Sequence, residues 1–278
     1  MNRFKRSLEI AKASWHMIMQ DRSLLIYPLA SSIGVAILGA LIFIPLAASG
    51  LFSESSENSV SVPQIAALLV LYFVSYSVII FCNSALVYVV MHRLQGSVEP
   101  MSGWAFARSR IRPILGFALI SASVGVVLNV ISSRSDGIGR IVGAIGGVAW
   151  SVASFLVVPV LVVEGLGPVD ALKRSASLLK KTWGEQLIGG AGIGLVAGLA
   201  TLVVVALGAG LVFLAALTGL TALIVVAVVI AVIAVAIVAV VSAAMDTIYR
   251  AAVYRFANNE PIKNYEAADI IPTAFSVK

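Results

Sequence analysis

Residues 164–186 read EGLGPVDALKRSASLLKKTWGEQ, and the centre of this stretch repeats the beginning of the chain. Both copies contain a Lys-Arg-Ser triplet, a lysine and a tryptophan, and the two copies are separated by a constant offset of 168 residues. The first copy has Lys5-Arg6-Ser7, Lys12 and Trp15, and the second has Lys173-Arg174-Ser175, Lys180 and Trp183. A long apolar segment follows each copy. The pattern predicts repeated units, each made of a basic amphipathic helix and a hydrophobic hairpin.

The composition is typical of a membrane protein. Hydrophobic residues make up 60% of the sequence and charged residues 12%, with a mean hydropathy of +1.04. Soluble proteins carry about 25% charged residues. The chain has a net charge of +6, but its sequence contains no clustered basic motif interleaved with aromatic residues. We therefore expect anionic lipid rather than nucleic acid as the partner.

Hydropathy predicts an all-α polytopic bundle of about six transmembrane helices in three hairpins. Residues 1–23 form an amphipathic cytoplasmic helix, residues 24–249 the six-span membrane domain and residues 250–278 a cytoplasmic tail. His92–Pro113 is a weaker middle counterpart of the opening element. The expected spans are 24–48, 65–91, 114–132, 138–163, 187–214 and 220–244.

The distribution of cations predicts the orientation. Seventeen Lys and Arg residues lie in the N-terminal segment, the loops after spans two and four, and the tail, whereas the other loops hold only Arg134 and Arg140. Positive residues are enriched on the cytoplasmic side of short loops. We expect a multi-pass protein of the cell membrane with both termini cytoplasmic.

The two copies of the basic element are the candidate lipid-binding sites. At about 100° per residue, Phe4, Leu8, Ala11 and Trp15 form one apolar stripe, and Leu172, Ala176, Leu179 and Trp183 form the other. Such helices either lie in the membrane interface or pack on the cytoplasmic end of the bundle, and the sequence leaves both open. The candidate lipid contacts are Lys5, Arg6, Lys12, Trp15, Lys173, Arg174, Lys180, Lys181 and Trp183.

Two rows of glycine predict close helix packing. Small residues let membrane helices approach each other where burial from water supplies no driving force. We expect both rows to be buried between helices, and one possible arrangement packs them against each other. The rows are Gly139, Gly143 and Gly147 in span four, and Gly190, Gly194 and Gly198 in span five.

The sequence contains no recognisable catalytic, cofactor or metal motif. Neither His16 nor His92 has the spacing of a metal ligand pair, and no nucleophile elbow or paired carboxylates are present. The polar residues Asn83 and Asn129 lie inside predicted spans, where amides usually bond neighbouring helices. We expect neither an enzyme nor a bound cofactor or metal.

Three stretches resemble an uncharacterised family of bacterial and archaeal six-span membrane proteins. They are Ser14-Trp15 followed by Leu24-Leu25 and Pro28, the block VVEGLGPVDALKRSASLLKKTWGE at 162–185, and YRAAVYRFANNEP at 249–261. That family is itself similar to the membrane domain fused to some glycerophosphodiester phosphodiesterases. The resemblance implies a six-span fold and no known reaction, because the phosphodiesterase barrel and its metal-binding carboxylates are absent from this chain.

Two functions fit these observations best. A membrane-organising or scaffold protein that contacts anionic lipid fits the repeated basic helices and the lack of charge inside the spans. A transporter or channel for a small or lipid-like solute fits the internal repeats and would require a polar cavity faced by Asn83 and Asn129. A protein partner or a homo-oligomer is compatible with either function.

Overall fold

The computed structural model describes residues 3–48, 62–97, 101–133, 138–183 and 192–268, and this part of the chain is helical without any strand. A 3-10 turn, Arg22–Leu25, joins the first two helices. The α-helices are α1 Arg3–Gln20, α2 Ile26–Ala48, α3 Val62–Gln95, α4 Gly103–Ser109, α5 Ile111–Ser133, α6 Ile138–Ala153, α7 Val157–Val163, α8 Pro168–Trp183, α9 Gly192–Leu217 and α10 Thr221–Ala257.

Six helical segments are long and apolar enough to cross a membrane, so the predicted all-α polytopic bundle is confirmed. α3 and α10, at 34 and 37 residues, run past the expected spans. At about 1.5 Å per residue they measure about 51 and 56 Å, against a hydrocarbon core of about 30 Å. Both helices are therefore longer than the hydrocarbon core requires. The predicted start of span five, 187–191, lies outside the described residues.

The spans form three hairpins, each entered through one of the shorter helices. α2 pairs with α3, α5 with α6, and α9 with α10. Each entry helix packs against the preceding hairpin: α4 on α3, α8 on α5, α6 and α7, and α1 on α9 and α10. Trp104 of α4 also meets Tyr27 of α2, with ring centroids 4.7 Å apart. The three units thus follow one another around a ring.

The same turn ends the second leg of every hairpin. Gly96 after α3, Gly165 after α7 and Asn259 after α10 have positive φ angles of 71°, 66° and 56°. A left-handed residue followed closely by proline is a common way to stop a helix. Pro100, Pro168 and Pro261 follow these three positions. Local structure therefore supports the repeat that the sequence predicts.

The core lies at the end of the bundle where α1, α4 and α8 pack, which we call the basic end. There the last turns of α3 and α10 meet α7. Leu86, Leu94, Leu161 and Ile248 are buried in this region, together with Tyr254. Farther from it, the spans expose large apolar side chains on most of their surface, as expected for helices surrounded by lipid.

Span four is interrupted rather than continuous. Pro159 has no backbone N–H, so the carbonyl of Phe155, four residues earlier, loses its helical partner. Arg250 Nη1 of α10 donates to that carbonyl at 3.2 Å, and the guanidinium lies over the Phe155 ring, 4.6 Å from its centroid. The Leu156 N–H donates to Ser175 Oγ of α8 at 3.0 Å. Two other helices therefore satisfy the backbone of this break.

Removing the Ser175 hydroxyl should destabilise the fold. The Leu156 N–H is donated to a fully buried serine, and an unsatisfied buried donor costs about 1–3 kcal/mol. We expect Ser175→Ala to lower the free energy of unfolding in mixed detergent micelles by that amount. The exposed Ser177 on the same helix is the matched control. Equal stabilities for Ser175→Ala and Ser177→Ala would contradict this account.

The glycines of span four contact α5. Gly139 and Gly143 are buried, and a Cβ at Gly143 would collide with Ser132, while one at Gly146 would lie 2.7 Å from Leu128 Cδ2. A Cβ at Gly147 would have no neighbour within 4 Å. Residues spaced by four drift about 40° per step around a helix, so the contact passes from Gly143 to Gly146.

Packing of α9 on α10 also uses a different glycine from the predicted row. Gly198 is exposed, and a Cβ there would meet nothing within 4 Å. Gly208 instead faces Ala231 of α10, whose Cβ would lie 2.9 Å from an added Cβ. The burial expected for Gly147 and Gly198 is therefore not observed. Gly190 and the surroundings of Gly194 lie outside the described residues.

Leucine at Gly143 and at Gly147 should have different effects. A side chain at Gly143 meets Ser132 and the Leu128 carbonyl of α5, whereas Gly147 has open space. Overpacking a close contact costs about 1–3 kcal/mol. We expect Gly143→Leu to reduce folded yield and melting temperature in detergent, and Gly147→Leu to leave both near wild type. Indistinguishable variants would rule out a tight α5–α6 contact at Gly143.

Candidate lipid interface

One face of α1 is buried against the bundle. Ile10, Ser14, Met17 and Ile18 are buried and share one side of the helix. Trp15 is 45% exposed, although it neighbours these residues in sequence. The helix therefore packs on the protein through one side and presents an aromatic residue on another.

α8 repeats this orientation. Leu178 and Leu179, at 3% and 2% exposure, correspond to Ile10 and Ala11, at 5% and 3%. Ala176 is exposed. In both copies the buried face is rotated by about 100° from the stripe that ends at Trp15 or Trp183. The predicted stripe coincides with the buried face only in part, because Ala11 and Leu179 on it are buried whereas Trp15 and Ala176 are exposed.

The predicted lipid-contacting cations have different environments. Lys12 and Lys180, which are equivalent in the repeat, are both exposed. Lys173 is also exposed, with its Nζ 3.6 Å from Asp170 Oδ1. The side chains of Lys5, Arg6, Lys181 and Trp183 lie outside the described residues. Lys12 and Lys180, which occupy equivalent positions on α1 and α8, are thus the exposed cations that the two helices share.

Arg174 is part of an internal network. Its Nε donates to both carboxylate oxygens of Glu164 at 3.0 and 3.1 Å, and its Nη2 donates to Asn258 Oδ1 at 3.0 Å. The Tyr254 hydroxyl donates to Glu164 Oε1, also at 3.0 Å. These four residues, the Glu164 network, join the end of α7 to α8 and α10. Arg174 therefore acts as a tie between helices and is less available to lipid than Lys180.

Gly165 brings Arg110, the residue between α4 and α5, to this region. Its φ of +66° favours glycine, and the Arg110 guanidinium lies against it, where an added Cβ would come within 2.8 Å of Nη1. The sequence analysis did not connect Glu164 with Arg174 or Tyr254. Partners that are up to 90 residues apart leave no periodic signal in a single sequence.

Neutralising Glu164 should destabilise the basic end. Glu164→Gln removes the charge that accepts two hydrogen bonds from Arg174. We expect a loss of about 1–2 kcal/mol, below the value for a fully buried pair because Arg174 is partly exposed. Asp170→Asn is the control, since its pair with Lys173 is exposed on both sides. Unfolding in mixed micelles measures both, and an equal effect would exclude a structural role for the network.

The segment after α10 holds α1 in place. Tyr265 is buried, and its hydroxyl lies 3.0 Å from Ser14 Oγ and donates to the Ile10 carbonyl at 3.4 Å. Burial raises the pKa of Tyr265 to about 12, although the hydrogen bond with Ser14 lowers it. The phenol therefore stays neutral, as these bonds require, across the physiological range. His16 also pairs with Glu266.

The polar residues within the spans do not share an obvious site. Asn83 is half-buried in α3, whereas Asn129 is exposed on the outside of α5. His92 Nδ1 lies 2.9 Å from the Tyr88 carbonyl on its own helix. Within the described ranges, no three His, Cys, Asp or Glu side chains are grouped in a way that could hold a metal ion.

The comparisons with known proteins place the chain in a family without assigning a reaction. No curated protein and no solved structure matches it. The model of a family of unknown function, DUF6159, matches residues 62–262. This match covers well over half of the sequence and includes α3 to α10. The chain therefore belongs to the DUF6159 family of unknown function.

Proposed function

We propose that the protein is a membrane-organising or scaffold protein whose basic end contacts anionic lipid. The supporting observation is the shared orientation of α1 and α8. Each helix buries one face in the protein and leaves its equivalent lysine, Lys12 or Lys180, exposed. Helices with an apolar side and basic residues lie well in the plane of a membrane interface.

The aromatic residue on α1 supports the same orientation. Trp15 is exposed next to the buried face, and tryptophan favours the level of the lipid headgroups. Met19, one turn later, is also exposed. α1 therefore offers apolar side chains to the membrane beside a cation for the headgroups.

The orientation in the cell follows from the same surface. The cations concentrate at the basic end, so we propose that this end and both termini face the cytoplasm of the cell membrane. There each lysine near anionic lipid contributes about 1 kcal/mol. The proposed activity is non-enzymatic. We also propose that this chain is related to the membrane domains that are fused to some glycerophosphodiester phosphodiesterases.

Neutralising Lys12 and Lys180 and measuring the preference for anionic lipid would test the function. Native mass spectrometry of the detergent-purified protein compares retention of phosphatidylglycerol with that of phosphatidylcholine. We expect Lys12→Gln/Lys180→Gln to weaken the preference for phosphatidylglycerol by about fivefold at each position. Lys12→Arg/Lys180→Arg preserves the charge and should preserve the preference.

Two results would argue against the proposal. One is a wild-type protein that retains both lipids equally. The other is a glutamine double variant, folded as judged by its melting temperature, whose lipid preference is unchanged. The alternative of a transporter or channel gains no support from the outward position of Asn129.

A further inference from the structure

The ring of hairpins is open on one side. The first and second units are joined by α3 and α5, and the third and first by α10 and α2. Among the described residues, α6 and α9 do not pack together in the corresponding way. The space beside α6 is therefore accessible from the lipid.

A groove of about 650 Å³ occupies this position, between α6 and α8. Small-molecule sites span about 300–1,000 Å³. Its wall on α6 consists of alanine, valine and isoleucine, and α8 contributes Ala176 and Leu179. Among the described residues that line it, Lys180 is the one with a charge.

The dimensions of the groove match one leaflet of a bilayer. Its wall on α6 runs from Ala144 to Ala153, which is about 14 Å at about 1.5 Å per residue. Half of the hydrocarbon core is about 15 Å. Ile145 and Val148 are 64% and 66% exposed, so the groove opens directly towards the hydrocarbon.

The position of Lys180 completes the site. It lies on the amphipathic helix at the basic end, and Ala153, which also lines the groove, marks the end of α6 before the break in span four. The apolar channel therefore leads from a cation at headgroup level into the membrane. None of the described residues that line the groove is acidic. An acyl chain in the channel would place a phosphate near the ammonium group.

We propose that the groove between α6 and α8 holds one anionic phospholipid, with an acyl chain along α6 and its phosphate on Lys180. This inference rests on the proposed contact with anionic lipid and assigns it a place and a stoichiometry. The Glu164 network and Ser175 fix α8 against α7, so the wall formed by α8 is held rigidly.

The test uses phosphatidylglycerol that carries a photoactivatable diazirine in one acyl chain. Crosslinking in vesicles followed by peptide mass spectrometry should place adducts on residues 144–153 and 176–180. Native mass spectrometry should show one phosphatidylglycerol per chain retained at this groove, apart from any lipid held beside Lys12. Ala149→Trp fills the groove from its α6 wall and should reduce that retention at least tenfold. Lys180→Gln should reduce it about fivefold.

Val142→Trp is the matched control. Val142 is exposed on α6 and is not one of the residues that line the groove, so this variant adds the same bulk to the lipid-facing surface without obstructing the site. Melting temperatures verify that all variants are folded. Unchanged retention in Ala149→Trp, or adducts confined to other helices, would overturn the site.

The outcomes separate the site from the proposed function. Undiminished binding in folded Ala149→Trp with a preserved preference for phosphatidylglycerol refutes the groove alone. Equal retention of phosphatidylcholine and phosphatidylglycerol by the wild type refutes the proposed function and, with it, the contact at Lys180.

Discussion

The break in span four is the point on which the arrangement depends. A membrane helix cannot leave backbone groups unpaired in hydrocarbon, where water does not replace the lost bonds. Pro159 frees the Phe155 carbonyl, which accepts from Arg250 of α10, and the neighbouring Leu156 N–H donates to Ser175 of α8, so both partners come from helices of the third unit. This requirement ties the second and third units together at the basic end. It also fixes α8 at the orientation in which Lys180 points outward.

The repeat gives similar local structure but unequal surroundings. All three second legs stop in a left-handed residue and meet in one core. The entry helices nevertheless differ: α4 has seven residues and is covered by aromatic side chains, whereas α1 and α8 are long and amphipathic. Only the boundary between α6 and α9 lacks close packing in the described part of the chain. The repeat of three units therefore determines the arrangement of the helices, and the differences between the units create the distinct surfaces.

Length and hydropathy were sufficient to predict the helical spans, and the repeated letters were sufficient to predict α1 and α8. The buried face of α1 was not predictable in the same way. Its residues Ile10 and Met17 are apolar, but so is Trp15, and lipid is as apolar as a protein interior. Periodicity therefore distinguishes polar from apolar sides and does not distinguish a side that faces protein from one that faces lipid.

The break in span four and the Glu164 network illustrate two different limits of prediction from the sequence. Pro159 was a visible signal, since a proline inside a helix removes the bond to the carbonyl four residues earlier. The pairing of Glu164 with Arg174 and Tyr254 depended on the tertiary fold and had no such local sign. The burial predicted for the whole glycine row of span four is not observed, for a geometric reason. Residues spaced by four drift around the helix, so Gly146 takes the place of Gly147 in the contact with α5.

The position of α1 has a consequence for biosynthesis. This helix is made before the rest of the bundle, yet its docking surface belongs to α9, α10 and Tyr265. At about 5–20 residues per second, roughly 10–50 s separate its emergence from the completion of that surface. During this interval α1 lacks this docking surface. A helix that is synthesised before the rest of the bundle is thus among the last of its elements to reach its native contacts.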